Sequence, residues 1–330
     1  MLGHPHSIAV TVSGPDVPAY RSIGFPRRYP LGTTSADSLG RIMMPADVDL
    51  IASYWTIAGD IDVLGDAISP WAFEERVTEA ATAGYVGFGL THVELQHLEA
   101  TQGFGTMRSI LEEHGITIVE LEALTDWFAD GEDREHSDRV RRDLLRASDA
   151  LAARHIKVVG TLADDQEDVG SDRMIESFAQ LCADAAEVGT AVVIEMLPIG
   201  NVSSLDAAMH LVQGAAAPNG GILLDMWHVH RTGTPLEAVA ELPAGVLKHV
   251  ELDDGGPPAP GSAFEDTIRN RKLCGEGEFD IAGFYRATRA AGYSGAYGVE
   301  ILSTTFRTRD LVEMATRSFD TASAVISSVD

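Results

Sequence analysis

The chain is poor in cysteine and in long apolar runs. Two cysteines occur among its 330 residues, which excludes a disulfide framework and a zinc cluster built from several thiolates. No run of about 18 apolar residues is present, and the first residues carry no basic segment ahead of an apolar one. We therefore expect a cytoplasmic protein that has no membrane partner.

Basic residues are also scarce. The sequence has 24 lysines and arginines against 50 aspartates and glutamates, which gives a formal net charge of −26. Nucleic acids are bound through clustered basic side chains, so we expect no nucleic-acid partner. An acidic excess is typical of a well-solvated surface, and its negative field also favours the approach of a cation.

Short β-branched segments alternate with longer amphipathic helical patterns from residue 48 onward. Such alternation is typical of parallel βα units, and a chain of 330 residues, 45% hydrophobic, suffices for one complete core. A doubly wound sheet is disfavoured, because no glycine-rich phosphate turn follows the first strand. The sequence predicts one (β/α)₈ TIM barrel over residues 48–330. Its eight predicted strands span residues 50–55, 85–90, 117–123, 156–160, 191–197, 221–225, 246–252 and 296–302.

Two segments do not fit the βα alternation. Residues 1–47 are rich in Pro, Gly and Arg and form an N-terminal extension, which could be a disordered arm, a lid or a segment docked on a partner. Residues 255–270 predict a long loop after the seventh strand, either a lid or part of an interface. We expect the chain to work in a hetero-oligomer that one of these segments helps to form.

Four predicted strands carry a carboxylate at or near their C-terminal end. They are Glu195, Asp225, Glu251 and Glu300. Each alone is as well explained by a cap or an ion pair, but an isolated buried charge is costly and four neighbouring ones favour a shared cation. The C-terminal strand ends of such a barrel carry the active site. The pattern predicts a centre for Mn²⁺, Mg²⁺ or another divalent metal.

The motifs around these carboxylates resemble those of the xylose-isomerase-like superfamily of sugar isomerases and epimerases, over roughly residues 48–325. In that family a Glu, an Asp, a His and a Glu hold a divalent ion, which implies Glu195, Asp225 and Glu300 as ligands. The fourth position departs from the pattern, because Glu251 stands where the family usually has His and His249 lies two residues earlier. Both point to the same side of a strand. Register favours Glu251 as the ligand and leaves His249 as an alternative or a substrate-binding residue. The motifs are IEML from residue 194, DMWH from 225, KHVELDD from 248, RKLCGEGEFD from 271 and GVEIL from 298.

The resemblance also implies roles beside the metal. His228 matches the family's substrate-binding histidine, and Arg271 matches an arginine that orients substrate oxygens; each could instead support the core. The family's second carboxylate, expected shortly after Glu195, is missing, and Asn201 stands near its place as a candidate substrate-binding residue. Because a two-base epimerase needs two acid/base groups, this absence disfavours simple epimerisation.

The first three strands contribute further candidates. Trp55 could form a platform for a sugar ring, although a buried structural aromatic is the commoner case. His92 follows the second strand at a place where a family site residue can lie. Glu122 closes the third strand and is a candidate base, whereas Glu120 points the same way deeper in the barrel and needs a partner.

These features predict a metal-dependent enzyme that removes a proton next to a sugar carbonyl. The segment YWTIAGD from residue 54, with the missing carboxylate and the changed ligand, is similar to the large subunit of bacterial C-glycoside deglycosidases. That resemblance implies a lyase that uses Mn²⁺ and acts on 3-oxo-glycosides with a small β-sandwich subunit. A ketose or sugar-phosphate isomerase or epimerase and a non-catalytic binding barrel are the alternatives. A nuclease of the endonuclease IV type is opposed by the acidic charge.

Overall fold

The computed structural model describes residues 48–63, 65, 68–161 and 172–329. The predicted N-terminal extension, residues 1–47, lies outside them. Eight strands close into one barrel in chain order, every neighbouring pair is parallel, and the last strand pairs with the first. The predicted TIM barrel is therefore confirmed. The strands are β1 (Leu50–Ala52), β2 (Gly87–Thr91), β3 (Ile118–Leu124), β4 (His155–Val158), β5 (Ala191–Glu195), β6 (Gly220–Asp225), β7 (Leu247–Leu252) and β8 (Tyr297–Val299).

Helices surround the barrel, and two of them follow each of β2, β6 and β7. A short 3-10 helix, Tyr54–Thr56, comes directly after β1. Across the described residues, no helix has both the length and the apolar character needed to cross a bilayer. The helices are α1 (Phe73–Ala83), α2 (His92–Thr101), α3 (Gly103–Glu113), α4 (Gly131–Leu151), α5 (Asp172–Glu187), α6 (Leu205–Ala215), α7 (Met226–Thr232), α8 (Leu236–Ala240), α9 (Ala263–Arg269), α10 (Ile281–Ala290) and α11 (Leu311–Ser327).

All eight predicted strands are present, although β1 and β8 are shorter than expected. The predicted strand 296–302 ends at Val299, because the chain turns into a loop once its pairing with β7 stops. Glu300 still donates its backbone N–H to the carbonyl of Leu252 at 3.1 Å. Glu300 therefore remains at the C-terminal end of β8, as the sequence predicts, although it lies just outside the regular strand.

The prediction of one long loop over residues 255–270 is wrong in its second half, which forms α9. Ser262 caps this helix by accepting a hydrogen bond from the backbone of Glu265 at 3.1 Å. The Glu265 side chain in turn accepts from the backbone of Ser262 at 3.4 Å. This reciprocal capping box satisfies two N–H groups at the helix start. The irregular part of the segment is therefore limited to residues 255–262.

The core is continuous through the barrel and out to the inner helix faces. Strands of a parallel barrel are buried on both sides, which explains near-continuous apolar runs such as Gly220–Asp225, in which every residue is buried. Charged side chains are nevertheless buried at inward positions of β3, β4 and β7, including Glu120, Lys157 and Glu251. The barrel interior is thus apolar around its wall and strongly charged along its axis.

Candidate active site

The four predicted ligand carboxylates lie together at the C-terminal end of the barrel. One oxygen each from Glu195, Asp225, Glu251 and Glu300 lies within 4.8 Å of the others, and all four side chains are buried. They come from β5, β6, β7 and the residue after β8. Neighbouring parallel strands end on the same face, which explains how residues over a hundred positions apart meet. We call these four residues the carboxylate cluster.

A lysine from β4 lies in contact with this cluster. The Nζ of Lys157 is 2.8 Å from one oxygen of Glu251 and 2.8 Å from Oε1 of Glu300. It is also 3.0 Å from Oε2 of Glu122 at the end of β3. Burial opposes the charge of Lys157, but these three carboxylates raise its pKa well above the ordinary value. Lys157 is therefore a fixed cation in the barrel.

Arg271 supplies a second buried cation on the other side of the cluster. Its Nη1 lies 2.5 Å from Oδ2 of Asp225, 2.6 Å from Oδ2 of Asp253 and 3.0 Å from Oε2 of Glu300. Burial and the neighbouring charge of Asp225 raise the pKa of Asp253 well above its usual range. Arg271 thus orients two cluster members with its guanidinium.

Negative charge exceeds positive charge at this end of the barrel. Excess buried negative charge is costly unless it is neutralised by protons or by a bound cation. Protonation supplies part of this neutralisation, because burial raises the pKa of Glu300 and raises that of Glu122 to about 8. The oxygen-rich donor set fits a hard or borderline divalent ion. The carboxylates in contact with Lys157 or Arg271 are Glu122, Glu195, Asp225, Glu251, Asp253 and Glu300.

Glu122 connects the cluster to a cavity of about 240 Å³ at the ends of β2 and β3. Trp55 and His92 line the same cavity. Oε1 of Glu122 has no hydrogen-bond partner among the described residues. Its pKa of about 8, together with this position, gives the cavity a carboxyl group that can give or take a proton near neutral pH.

Two histidines flank this arrangement. His228 lies in the first turn of α7, whose N-terminus is capped by Asp225, and its Nε2 is 3.2 Å from Oε1 of Glu195. The spacing D-x-x-H therefore brings His228 against the cluster. His92 instead has its Nε2 3.1 Å from Oδ2 of Asp143 on α4, so this ring borders the cavity and pairs away from the cluster.

Asn201 and His249 occupy positions that differ from the other substrate-binding candidates. Oδ1 of Asn201 accepts from the backbone of Thr161 at 3.1 Å, and its Nδ2 lies 3.6 Å from the sulfur of Met174. Its amide therefore joins the loop after β5 to the chain after β4 and to α5. His249 lies deeper in the barrel, with Nε2 3.1 Å from Oε2 of Glu120. Substrate contact by these residues and by Arg271 stays a prediction.

Sequence analysis missed Lys157 and Asp253 as members of the site. Lys157 could have been found, because a lone lysine inside an otherwise apolar buried strand requires a counter-charge. Asp253 stands in a run of two aspartates, and the pattern alone gives no reason to prefer it to Asp254. The structure separates their roles, since Asp253 contacts Arg271 and Asp254 accepts hydrogen bonds from backbone N–H groups.

Asp254 organises the loop that carries Arg271. Its carboxylate accepts backbone hydrogen bonds from Gly255, Gly275, Gly277 and Phe279 at 2.7–3.0 Å. A Cβ on Gly277 would lie 2.1 Å from Oδ1 of Asp254, so the close approach requires glycine there. The backbone N–H groups of Gly275 and Gly277, the two glycines of the RKLCGEGEFD motif, thus bind the carboxylate of Asp254.

Comparisons with known proteins agree with this architecture. The sequence profile of the family described as xylose isomerase-like TIM barrel matches residues 77–319. A 3-dehydroshikimate dehydratase of Pseudomonas aeruginosa is 27% identical over 241 residues, which are 71% of this chain and 36% of that protein. The chain therefore spans about a third of the length of this relative.

Solved structures share the fold at low sequence identity. The IolI protein, solved with a bound zinc atom, superposes with a TM-score of 0.74 at 16% identity, covering 86% of this chain and 99% of that one. A fusion of a xylose isomerase-like TIM barrel with a 4-hydroxyphenylpyruvate dioxygenase gives a TM-score of 0.72 at 20% identity, covering 84% of this chain and 42% of that one. At these identities the likeness establishes the fold alone.

Proposed function

The chain belongs to the xylose isomerase-like TIM barrel family, and we propose that it is a divalent-metal-dependent lyase acting on a polyhydroxylated cyclic ketone. It removes a proton next to the carbonyl and expels a β-substituent. The observation that carries this proposal is the junction of two features. One oxygen from each of four buried carboxylates lies within 4.8 Å of the other three. Beside them, Glu122, whose pKa is raised, lines a cavity of about 240 Å³.

Glu195, Asp225, Glu251 and Glu300 are the residues that would hold the metal. Their oxygens and the uncompensated negative charge around them fit a divalent ion such as Mn²⁺ or Mg²⁺. Once bound, the ion supplies a Lewis acid for the substrate oxygen on which negative charge develops. Arg271 orients Asp225 and Glu300 for this task.

Glu122 is the proposed base. In the elimination the carbon–hydrogen bond next to the carbonyl breaks, its proton passes to Glu122, and the electron pair forms the new carbon–carbon double bond. The bond to the β-substituent breaks in turn, and the departing group leaves with that bond's pair and takes a proton from His228. Trp55 and His92 border the cavity in which the substrate ring would lie.

Elimination is favoured over two-base epimerisation by the chain's own residues. Asn201 stands near the place where the sequence resemblance implies a second carboxylate, and its amide contacts the backbone of Thr161 and the sulfur of Met174. The dehydratase relative also supports elimination, since by its name it removes water from 3-dehydroshikimate.

The leaving group is the finer part of the proposal. The first candidate is the aglycone of a 3-oxo-C-glycoside, released by carbon–carbon cleavage with Mn²⁺ and a small β-sandwich subunit, as the sequence resemblance implies. The second is water, which the dehydratase relative favours. Both share the same first proton abstraction, so both require Glu122 and the carboxylate cluster.

The test separates proton abstraction from the fate of the leaving group. The full chain is stripped of metal, reloaded with Mn²⁺, and incubated in D₂O with a 3-oxo-C-glycoside, with 3-dehydroshikimate and with D-fructose, with and without a candidate small subunit. NMR follows deuterium uptake next to the carbonyl, and absorbance follows the conjugated product. We expect elimination from one of the two cyclic ketones.

Matched variants complete this test. Glu122→Gln should lose at least about 100-fold in exchange and elimination, the usual share of a general base, whereas Glu113→Gln, an exposed change on α3, should not. Elimination that is unchanged in metal-free protein or in Glu122→Gln would overturn the proposal. If D-fructose were the only compound to show exchange and isomerisation, the chain would be a ketose isomerase instead.

A further inference from the structure

We infer that the barrel contains a second divalent-metal site, formed by Glu120 of β3, His155 of β4 and His249 of β7. Each of these residues lies two positions before a residue of the active-site layer, namely Glu122, Lys157 and Glu251. Because side chains two apart on a strand point the same way, the three project into the barrel one layer below that site. This inference does not depend on the proposed function.

The geometry of the three side chains suits one ion. Nε2 of His249 lies 3.1 Å from Oε2 of Glu120, and Nε2 of His155 lies 3.7 Å from the same oxygen. One donor atom from each residue lies within 4.8 Å of the other two. Metal–ligand bonds of about 2.0–2.2 Å in a tetrahedral site place donors roughly 3.3–3.6 Å apart. Small side-chain shifts would therefore bring all three onto one ion.

The burial of these donors is a second, independent indication. All three side chains are buried, and the ring of His155 forms no hydrogen bond through either nitrogen within the described part of the chain. Buried polar groups are normally hydrogen-bonded. The rings of His155 and His249 lie 4.4 Å apart, tilted by 41°, which leaves nitrogens of both near one oxygen of Glu120.

A cavity adjoins this site on the face opposite the carboxylate cluster. It has a volume of about 410 Å³ and is lined by His155 and by the first residues of β5 and β7. It therefore opens at the N-terminal ends of the strands. Arg154 and Lys248 line it too, and their positive charge slows the entry of a bare cation. Loading experiments accordingly need long incubation.

The donor types distinguish the two sites chemically. Two imidazole nitrogens and one carboxylate suit Zn²⁺, Co²⁺ or Fe²⁺, whereas the four carboxylates of the cluster accept hard ions such as Mn²⁺ and Mg²⁺ as well as those borderline ions. Without an ion, His249 pairs with Glu120 and His155 packs on His249. The number of ions that the chain binds therefore tests the inference.

The test counts bound ions per chain. The full-length protein is stripped of metal, incubated for a day with excess Co²⁺ or Zn²⁺, desalted and analysed by mass spectrometry of the metal. We expect two ions in the native chain, one in His155→Gln and one in Glu300→Gln, with two kept in His97→Gln, whose histidine is exposed on α2. Two ions kept in His155→Gln would overturn the inference. One ion lost in His155→Gln but none in Glu300→Gln would support it while removing the metal from the proposed function.

A second measurement keeps His155 in place and so guards against a His155→Gln variant that fails to fold. With ¹¹³Cd²⁺ we expect two resonances in the native chain, and we expect a resonance coupled to the nitrogens of ¹⁵N-labelled histidine to be retained in Glu300→Gln. The absence of any resonance coupled to histidine in Glu300→Gln would overturn the inference. This variant is used because His228 lies beside Glu195 and could couple to an ion in the cluster.

Discussion

Lys157 places one ammonium within 3.0 Å of Glu122, Glu251 and Glu300. Two of these carboxylates are proposed metal ligands, so a bound divalent ion and the ammonium repel each other across a short distance. Unit charges about 4 Å apart interact by about 4 kcal/mol at an effective dielectric constant near 20. Lys157 would therefore weaken the binding of a metal ion, while it neutralises part of the charge of the cluster.

We predict that Lys157→Gln binds Mn²⁺ at least about tenfold more tightly than the native chain, a change of about 1.4 kcal/mol. Isothermal titration calorimetry on metal-free protein measures it. Lys248→Gln, at the opposite end of the barrel, is the matched control and should leave the affinity within a factor of about two. Weaker binding in Lys157→Gln would mean that lysine orders the ligands more than it competes with the ion.

Glu122 gives a pH dependence of stability whose sign is fixed. Burial, helped by Glu300 and Glu251, raises its pKa from 4.5 to about 8 although Lys157 opposes the shift. The folded state then binds a proton that the unfolded state releases above pH 4.5. Its contribution to stability is complete below about pH 4.5 and is lost as the pH rises through 8.

We predict that Glu122→Gln flattens the decline in stability of the metal-free chain between about pH 4.5 and 8. Urea unfolding in the presence of a chelator, followed by circular dichroism at several pH values, gives the two curves. The difference between them should reach the order of a few kcal/mol at pH 8. Parallel curves for the native chain and Glu122→Gln would show that Glu122 is ionised throughout this range.

At the scale of elements, the loop between α9 and α10 depends on contacts that only glycine permits. A Cβ at Gly277 would lie 2.1 Å from Asp254 Oδ1 and 2.3 Å from the carbonyl of Gly255. We predict that Gly277→Ala destabilises the chain by about 1–3 kcal/mol, the usual cost of overpacking. Gly256→Ala is the control, since its nearest neighbour would be Nζ of Lys272 at 3.5 Å.

Thermal unfolding of both variants checks this prediction. Because this loop leads from Arg271, Gly277→Ala should also weaken Mn²⁺ binding, whereas Gly256→Ala should not. Equal melting temperatures for the two variants would show that the loop relaxes around the added methyl group.

The sequence predicts the strands of this fold better than its loops. The strands β5 and β6 are apolar runs closed by a carboxylate, and Glu251 and Glu300 lie near the end of β7 and just after β8. These site residues therefore follow from burial and from the common direction of parallel strands. Loops carry no such periodicity. Substrate contact by Asn201 stays a prediction, and the sequence does not indicate the contacts of its amide with Thr161 and Met174, because loop contacts depend on three-dimensional closure.

The inward layers of the barrel were predicted only in part for a related reason. Glu120 was recognised as a buried carboxylate that needs a partner, and His249 meets it at 3.1 Å. The pairing joins β3 to β7 across the barrel, and sequence patterns within one strand do not reveal which strand lies opposite. The strand that carries Lys157 has the pattern of an apolar run, which gives no indication of the carboxylates that this lysine contacts from other strands.

On the scale of the whole molecule, the proposed ligands come from four consecutive strands. An ion bound at Glu195, Asp225, Glu251 and Glu300 would link β5, β6, β7 and the end of β8. Because the unfolded chain cannot present this set, the binding free energy adds to the free energy of unfolding. At an ion concentration 100 times the dissociation constant the gain is about 2.7 kcal/mol.

We predict that Mn²⁺ raises the melting temperature of the metal-free chain by several degrees, and that a chelator reverses the rise. A domain of 150–250 residues shifts by about 2–4 °C for each kcal/mol, and this larger barrel should lie at or below that range. Glu300→Gln should lose most of the shift with Mn²⁺, because one of the four carboxylates then becomes a neutral amide. Zn²⁺ should still stabilise that variant through Glu120, His155 and His249. If millimolar Mn²⁺ left the melting temperature of the native chain unchanged, the carboxylates of the barrel would be neutralised by Lys157 and Arg271 instead of by a metal.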